Sequence, residues 1–287
     1  MLFDAHTHLN FEGFDEEERK FRAREIEASE LGAIIDVGDC VTSSEKAIFD
    51  AETYDWCYAA VGIHPEHAAD YTEEDLHAIE KMLSHPKVVA IGEIGLDFHY
   101  GKDTKEEQVE LFRRQIRIGL AHQVPIMIHT REANRLTVDI LKEEGAFSEE
   151  RKSIFPLRPD GHGNMVPDAR VQLHCFSGSA ELAKEYVNLG ATFSIGGPLT
   201  FKNGRKTVEV VQAVPLEYLM TETDAPYLTP EPFRGKPNRS PYVEHVARRM
   251  AVIKDITFEE ATDQIFRNGC RFFGLNEAEI ISKRGNK

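Results

Sequence analysis

Apolar residues along this chain fall into short runs separated by longer amphipathic stretches. The runs are Leu2–Ala5, Ala33–Val37, Cys57–Gly62, Val88–Gly92, Pro125–His129, Val171–His174, Ala191–Ile195 and Tyr218–Thr221. Continuous rather than alternating hydrophobicity is the mark of strands covered on both faces, as in a parallel sheet. Between the runs, Val109, Phe112, Ile116 and Leu120 recur at three- and four-residue spacing, so that segment is a helix with one buried face. Thr72-x-x-Asp75 and Thr257-x-x-Glu260 are capping-box starts for two more helices. Strand and helix thus alternate through eight repeats. The pattern predicts an α/β fold, a (β/α)8 TIM-like barrel with parallel strands inside and helices outside. A doubly wound open sheet is the alternative. It would place one crevice at a switch point, with no functional groups spread over many strand ends.

At 287 residues the chain fits one large barrel or two small domains. We read residues 1–287 as a single barrel, with 147–169 as a polar, Pro- and Gly-rich insertion. That insertion lies in a helix-to-strand connection, so it is expected on the face opposite the chemistry, as a surface loop or subunit contact. His162 within it is therefore not expected to be a ligand. No run of 18 apolar residues is present, and no basic-then-apolar leader opens the chain, so neither a membrane span nor a secretory signal is expected. Cys40, Cys57, Cys175 and Cys270 form no CxxC pair and read as small buried residues of a reducing, cytoplasmic protein. A net charge of −15 excludes a protein that coats nucleic acid electrostatically, though not an enzyme that holds phosphate at one cleft. No Gly-rich dinucleotide loop, Walker sequence, repeat or low-complexity tract is present. Lys283-Arg284 reads as a solvated tail.

The candidate chemistry sits at the strand ends. Asp4, His6 and His8 alternate along the first strand and share a face. Later strands end in Gly62-Ile63-His64-Pro65, Gly92-Glu93-Ile94-Gly95-Leu96-Asp97, His129-Thr130-Arg131, His174-Cys175 and Thr221-Glu222-Thr223-Asp224. In a barrel these positions converge on one end. Burying so many ionisable groups without a metal would carry a large desolvation cost. Gly62, Gly92 and Gly95 permit tight backbone beside such a site, and Gly196-Gly197-Pro198 is a turn at its rim.

Together DAHTH at 4–8, GIHP at 62–65, GEIGLD at 92–97, IHTR at 128–131, HCFSG at 174–178, TETDAPYL at 221–228 and RGKPNRSPYV at 234–243 resemble the TatD family of metal-dependent deoxyribonucleases. Arg267-Asn268 and Phe-Gly-Leu at 273–275 extend the match, so it runs from Asp4 to about Leu275. The resemblance implies two divalent ions per chain. His6, His8 and Asp224 would hold one, His129 and His174 the other, and Glu93 would bridge them. A shared carboxylate offsets the repulsion between two cations, and such a pair activates water for phosphoryl displacement. The His and carboxylate set suits Mn2+ or Zn2+, and Mg2+ with more water. Glu93, Asp224 and His64 are the candidate catalytic residues, with Asp224 accepting a proton from the attacking water and His64 contacting phosphate. Arg131, Arg234, Lys236 and Arg239 are candidate phosphate contacts. Asp4 is expected to orient a ligand imidazole, Glu222 to sit behind the ligands, and Asp97 to support Glu93 or cap its turn.

The implied activity is hydrolysis of phosphodiester bonds in DNA, by a 3′-5′ exonuclease favouring single strands. DNA is the expected partner, with no membrane and no obligate protein partner. The enzyme alternative is an amide, lactone or small-phosphoester hydrolase of the wider metal-dependent hydrolase superfamily. Many of those bridge their metals with a modified Lys where this chain has Glu93. A different class of reading makes the chain chiefly a partner-binding protein, with the insertion as its contact surface.

Overall fold

A computed structural model describes residues 1–284. Ten strands form in chain order: β1 (Leu2–Thr7), β2 (Leu31–Val37), β3 (Cys57–Val61), β4 (Val88–Asp97), β5 (Ile126–Arg131), β6 (Arg158–Pro159), β7 (Met165–Val166), β8 (Val171–Leu173), β9 (Thr192–Ile195) and β10 (Leu219–Thr221). Eight of them make one parallel sheet in the order β1-β2-β3-β4-β5-β8-β9-β10. Just past β10, Asp224 N–H donates to the His6 carbonyl at 2.9 Å and His8 N–H to the Ala225 carbonyl at 2.9 Å. These bonds bring the last strand back against the first, giving a nearly closed barrel. Every apolar run of the sequence is a barrel strand. β4 runs five residues beyond that apolar stretch, because Ile94–Asp97 stay paired with β5 after a register shift, with Ile94 and Leu96 fully buried in the core.

Around the sheet lie α1 (Glu16–Glu27), α2 (Val41–Thr53), α3 (Glu73–Met82), α4 (Lys105–Ala121), α5 (Asn134–Glu143), α6 (Glu149–Ser153), α7 (Ala180–Leu189), α8 (Arg205–Ala213), α9 (Val243–Lys254), α10 (Phe258–Phe273) and α11 (Glu277–Arg284). Both predicted capping boxes are formed, at Thr72 and Thr257. The core lies between helices and sheet. On α4, Leu111, Phe112 and Ile116 are buried, and so are two glutamines one heptad apart. Gln108 accepts from Asp97 N–H at 2.9 Å and donates to the Asp97 carbonyl at 3.0 Å. Gln115 accepts from Ile63 N–H and donates to the Ile63 carbonyl, each at 2.8 Å. One helix face therefore pins the two loops that follow β3 and β4.

The insertion is more ordered than a polar loop. It contains α6 and an antiparallel β6–β7 hairpin. Arg158 is fully buried and donates to the carbonyls of Ala191 (3.1 Å) and Glu217 (2.7 Å), with its guanidinium stacked on Tyr218. These partners precede β9 and β10, so the hairpin is anchored at the N-terminal ends of the strands. His162 lies at the exposed hairpin turn. The C-terminal expectation needs correcting: Arg284 is no solvated charge. It donates to the carbonyls of Ile26 (3.0 Å), Ser29 (3.2 Å) and Leu31 (2.8 Å), capping the end of α1. Sequence reading missed this because those acceptors belong to a segment more than 250 positions away.

Candidate metal centre

Strand periodicity places His6 and His8 side by side at the end of β1, their Nε2 atoms 3.2 Å apart. His8 Nδ1 is 2.9 Å from the Val37 carbonyl, a contact that fixes the proton on Nδ1 and leaves Nε2 as a lone-pair donor. Glu93 occupies the centre. Its Oε1 faces His6 Nε2 (3.6 Å) and His8 Nε2 (3.7 Å), and its Oε2 faces His129 Nδ1 (3.3 Å) and His174 Nε2 (2.9 Å). Asp224 Oδ1 lies 3.7 Å from His6 Nε2 and 3.5 Å from His8 Nε2. All six are brought together. The β4–β5 register, with Gly95 beside His129, delivers two of them, and Gly95 is obligatory there. Its φ is +149°, and a Cβ would stand 1.9 Å from the His129 carbonyl oxygen.

Most of these N···O separations exceed hydrogen-bond length. They match donors sharing an ion: two atoms each about 2.1 Å from one cation at a tetrahedral angle stand about 3.4 Å apart. Electrostatics agree. Burial pushes the Glu93 carboxyl up, yet the imidazoles of His174 and His6 and bonds from His129 and His174 hold it well below the usual range. Burial likewise opposes ionisation of Asp224, which His8, His6 and His174 pull down. Burial disfavours charge on His8 and His129, but Asp224 with Glu93 raises the first to about 10, and Asp97 with Glu93 raises the second to about 9. His174 is raised in the same way, chiefly by Glu93 against its burial. Protons thus stand where cations would neutralise the carboxylates. His6, by contrast, is lowered to about 4 by burial and the neighbouring His174. The group of His6, His8 and Glu93 and the group of His64, Glu93 and His129 each offer three converging ligand atoms.

The supporting residues divide by what they touch. Asp97 accepts from His99 N–H (2.9 Å) and Tyr100 N–H (2.8 Å) through Oδ1, while Oδ2 faces His129 Nε2 at 3.2 Å. It therefore caps its own turn, and the imidazole it orients is that of His129. Asp4 accepts from Thr223 N–H (2.8 Å) and Thr223 Oγ1 (2.7 Å). Its partner is the loop that carries Asp224, where an imidazole was expected. Burial raises its carboxyl to about 7. Glu222 accepts from Cys175 N–H at 2.6 Å and from Ser194 Oγ, and lies 3.8 Å from His174 Nδ1. It sits behind His174, with burial pushing it to about 8. His64 packs edge-on against His129, ring centroids 4.5 Å apart, and burial with the His129 charge lowers it to about 3.

The centre opens into a cavity of about 600 Å³ lined by ligands together with His64, Arg131, Phe11, Asp39, Tyr100 and Tyr227, among others. Arg131 is the one arginine or lysine among the residues lining it. Arg234, Lys236 and Arg239 are not on its wall. Arg234 stacks over Phe201 (4.1 Å), Lys236 lies over Phe233 (5.8 Å), and Arg239 pairs with Glu25 at 2.6 Å. Sequence reading passed over Asn10, Asp39 and the two tyrosines on the cavity wall, Thr223 beside Asp4, and Asp36, which accepts from Asn10 N–H at 3.2 Å. Thr223 and Tyr227 lie inside a recognised motif, and Tyr100 three residues beyond another; the rest carry no local signal.

Comparison with known proteins follows the same residues. Residues 3–274 match the family model described as TatD related DNase. The chain is 43% identical over 276 residues to the metal-dependent hydrolase YabD of Bacillus subtilis, covering 96% of this chain and 100% of that protein. It is 32% identical to the metal-dependent hydrolase YcfH of Escherichia coli K12, over 99% of this chain and 100% of that one. Among solved structures, the TatD homologue YjjV of Escherichia coli K12 superposes with a TM-score of 0.82 at 27% identity, covering 96% and 98% of the two chains.

Proposed function

The chain belongs to the TatD-related DNase family and is a metal-dependent hydrolase; on that premise we propose that it cleaves phosphodiester bonds in DNA. The observation that carries the reading is Glu93, whose two oxygens each face a pair of imidazoles at the floor of an open cavity. That arrangement suits two divalent ions, one on His6, His8 and Asp224, the other on His129 and His174, with Glu93 common to both. Mn2+, Zn2+ and Mg2+ are the candidates. Such a pair, when bound, supplies an activated water and offsets charge on the attacking and leaving oxygens of a phosphodiester.

The remaining steps belong to the chain. Asp224, held ionised by three imidazoles, accepts the proton of the attacking water. His64, neutral because of its burial, donates a hydrogen bond to a phosphate oxygen. Arg131 at the rim engages the next phosphate. The Gln108 and Gln115 pegs hold the loops of Asp97 and His64 in register with the centre. The proposed ligand side chains are at most 18% exposed, which favours a flexible single strand over a duplex. The 3′-to-5′ direction rests on the family resemblance alone. The four cysteines are unpaired, in keeping with work in the reducing cytoplasm. Among the described residues no helix is long and apolar enough to cross a membrane.

The test is cleavage of end-labelled single-stranded DNA by metal-stripped protein, with Mg2+, Mn2+ or Zn2+ restored and Glu93→Ala as control. A metal-dependent ladder absent from the variant is the expected result. Cleavage of an amide or lactone panel, with no phosphodiesterase activity under any metal, would reverse the assignment.

A further inference from the structure

Building on that phosphodiesterase reading, we propose that Tyr100 and Tyr227 are stacking platforms for unpaired nucleobases, one on each side of the metal centre. The barrel order sets them opposite each other. Tyr100 follows β4 and Tyr227 follows β10, and three strands separate these two whichever way the sheet is traversed. Both rings line the metal cavity, yet both are left in solvent, Tyr100 at 74% exposure and Tyr227 at 51%. A single exposed aromatic is ordinary. Two on facing walls of the cavity that contains the reacting centre are not accounted for by packing.

Each ring hangs from a carboxylate residue of the centre. Tyr100 N–H donates to Asp97 Oδ1 at 2.8 Å, and Tyr227 N–H donates to the Asp224 carbonyl at 2.8 Å. Their ring neighbours are edge-on. His99 meets Tyr100 at 4.7 Å and 80°, itself held by Glu132. Phe11 meets Tyr227 at 5.9 Å and 82°. Among the described residues, neither tyrosine has a ring stacked parallel on it. The Arg131 guanidinium lies over the Tyr100 ring, 4.6 Å from its centroid, so it layers on one face, and the ring, 74% exposed, offers the other to a base beside a phosphate-binding cation. A strand with its phosphate at Glu93 and Asp224 would direct the base on one side to Tyr100 and the base on the other to Tyr227. Stacking tolerates any base, so this pair selects single-stranded DNA without reading sequence. A duplex, whose bases are already stacked on each other, cannot use it.

The experiment compares two single strands, one with normal bases and one carrying tetrahydrofuran abasic residues on both sides of the scissile phosphate. Manganese-loaded full chain, Tyr100→Ala, Tyr227→Ala and the corresponding Phe variants are assayed on each. Losing one stack is expected to raise KM on the base-bearing strand about tenfold. The loss on the abasic strand should be several-fold smaller, kcat should hold, and Phe should restore binding. Equal losses on both strands would assign the rings a structural role and overturn the inference, as would no loss on either. Wild-type protein that cleaves neither strand under any metal would instead overturn the phosphodiesterase reading. Mn2+ affinity of each variant, unchanged from wild type, verifies that the centre is intact.

Discussion

Replacing Asp97 by Asn tests how the centre is held together. The carboxylate makes three contacts: two backbone N–H groups on Oδ1, and His129 Nε2 on Oδ2. Asn retains an oxygen for the two N–H groups. Opposite His129 it presents an NH2, so a donor meets the Nε2 proton that Asp97 accepted. The ring must then turn or change tautomer, and Nδ1 no longer faces Glu93 with a lone pair. Loss of a charge-assisted hydrogen bond costs about 1.5–3 kcal/mol, which is about 10- to 150-fold in a binding constant. Outer partners of metal-ligating histidines show a similar 10- to 100-fold range. The expected result is therefore a weakening of Mn2+ binding by about one to two orders of magnitude at one of two sites, with a lower melting temperature in the metal-free protein, where the same bond to protonated His129 is lost. Asp97→Ala, which also strips both backbone N–H partners, should lose further stability beyond Asp97→Asn. Titration calorimetry with Mn2+, paired with thermal melts of the stripped proteins, measures both quantities. Mn2+ affinity within twofold of wild type in Asp97→Asn would refute the argument that this carboxylate sets the His129 donor.

Other consequences can be checked independently. His8 and His129 are raised above 6.5, to about 10 and about 9, so their protons stabilise the metal-free protein below pH 6.5 and are lost as pH rises through those values. Metal must expel them, and Mn2+ affinity should climb about tenfold per pH unit for each proton released between pH 7 and 9; a flat profile would exclude the linkage. Asp36 is fully buried beside Asp50, and burial followed by that neighbour pushes its carboxyl well above 3.8. A raised acid gives stability that is present below pH 3.8 and lost as pH rises through the folded-state value, each unit being worth about 1.4 kcal/mol. Asp36→Asn should thus raise the melting temperature at pH 8 and leave it near wild type at pH 4, and equal shifts at both would contradict the reasoning. Gly95→Ala forces a Cβ against the His129 carbonyl; it should cost more than about 3 kcal/mol in a denaturant melt, and a neutral outcome would mean the β4–β5 approach is looser than drawn. Because Arg131 is the one arginine or lysine lining an otherwise acidic cavity, metal-stripped protein should fail to bind oligonucleotide in anisotropy measurements, with binding restored by Mn2+.

The eight barrel strands, the two capping boxes and the pairing of His6 with His8 were legible in the sequence because each rests on a local pattern. Apolar runs mark buried strands, Thr-x-x-acid marks a helix start, and alternation on β1 puts His6 and His8 together. Given a barrel, strand ends meet at one face, which gathers the candidate imidazoles and carboxylates; which of them would hold metal came from the resemblance to the TatD family. The tertiary structure decided what no local pattern carries. It assigned Asp97 to His129 and Asp4 to Thr223, because a carboxylate's partner is chosen by whichever strand lies beside it. It turned Arg239 toward Glu25 and left Arg131 on the cavity wall, although both read alike as candidate phosphate contacts. It buried Arg158 and Arg284 against backbone carbonyls of segments far along the chain. It also set Tyr100 across from Tyr227, a relation created only when β10 returns to β1 and the sheet becomes a ring. Hydrophobic period is a property of neighbours in sequence, whereas the pairing of charges and the facing of rings are properties of neighbours in space.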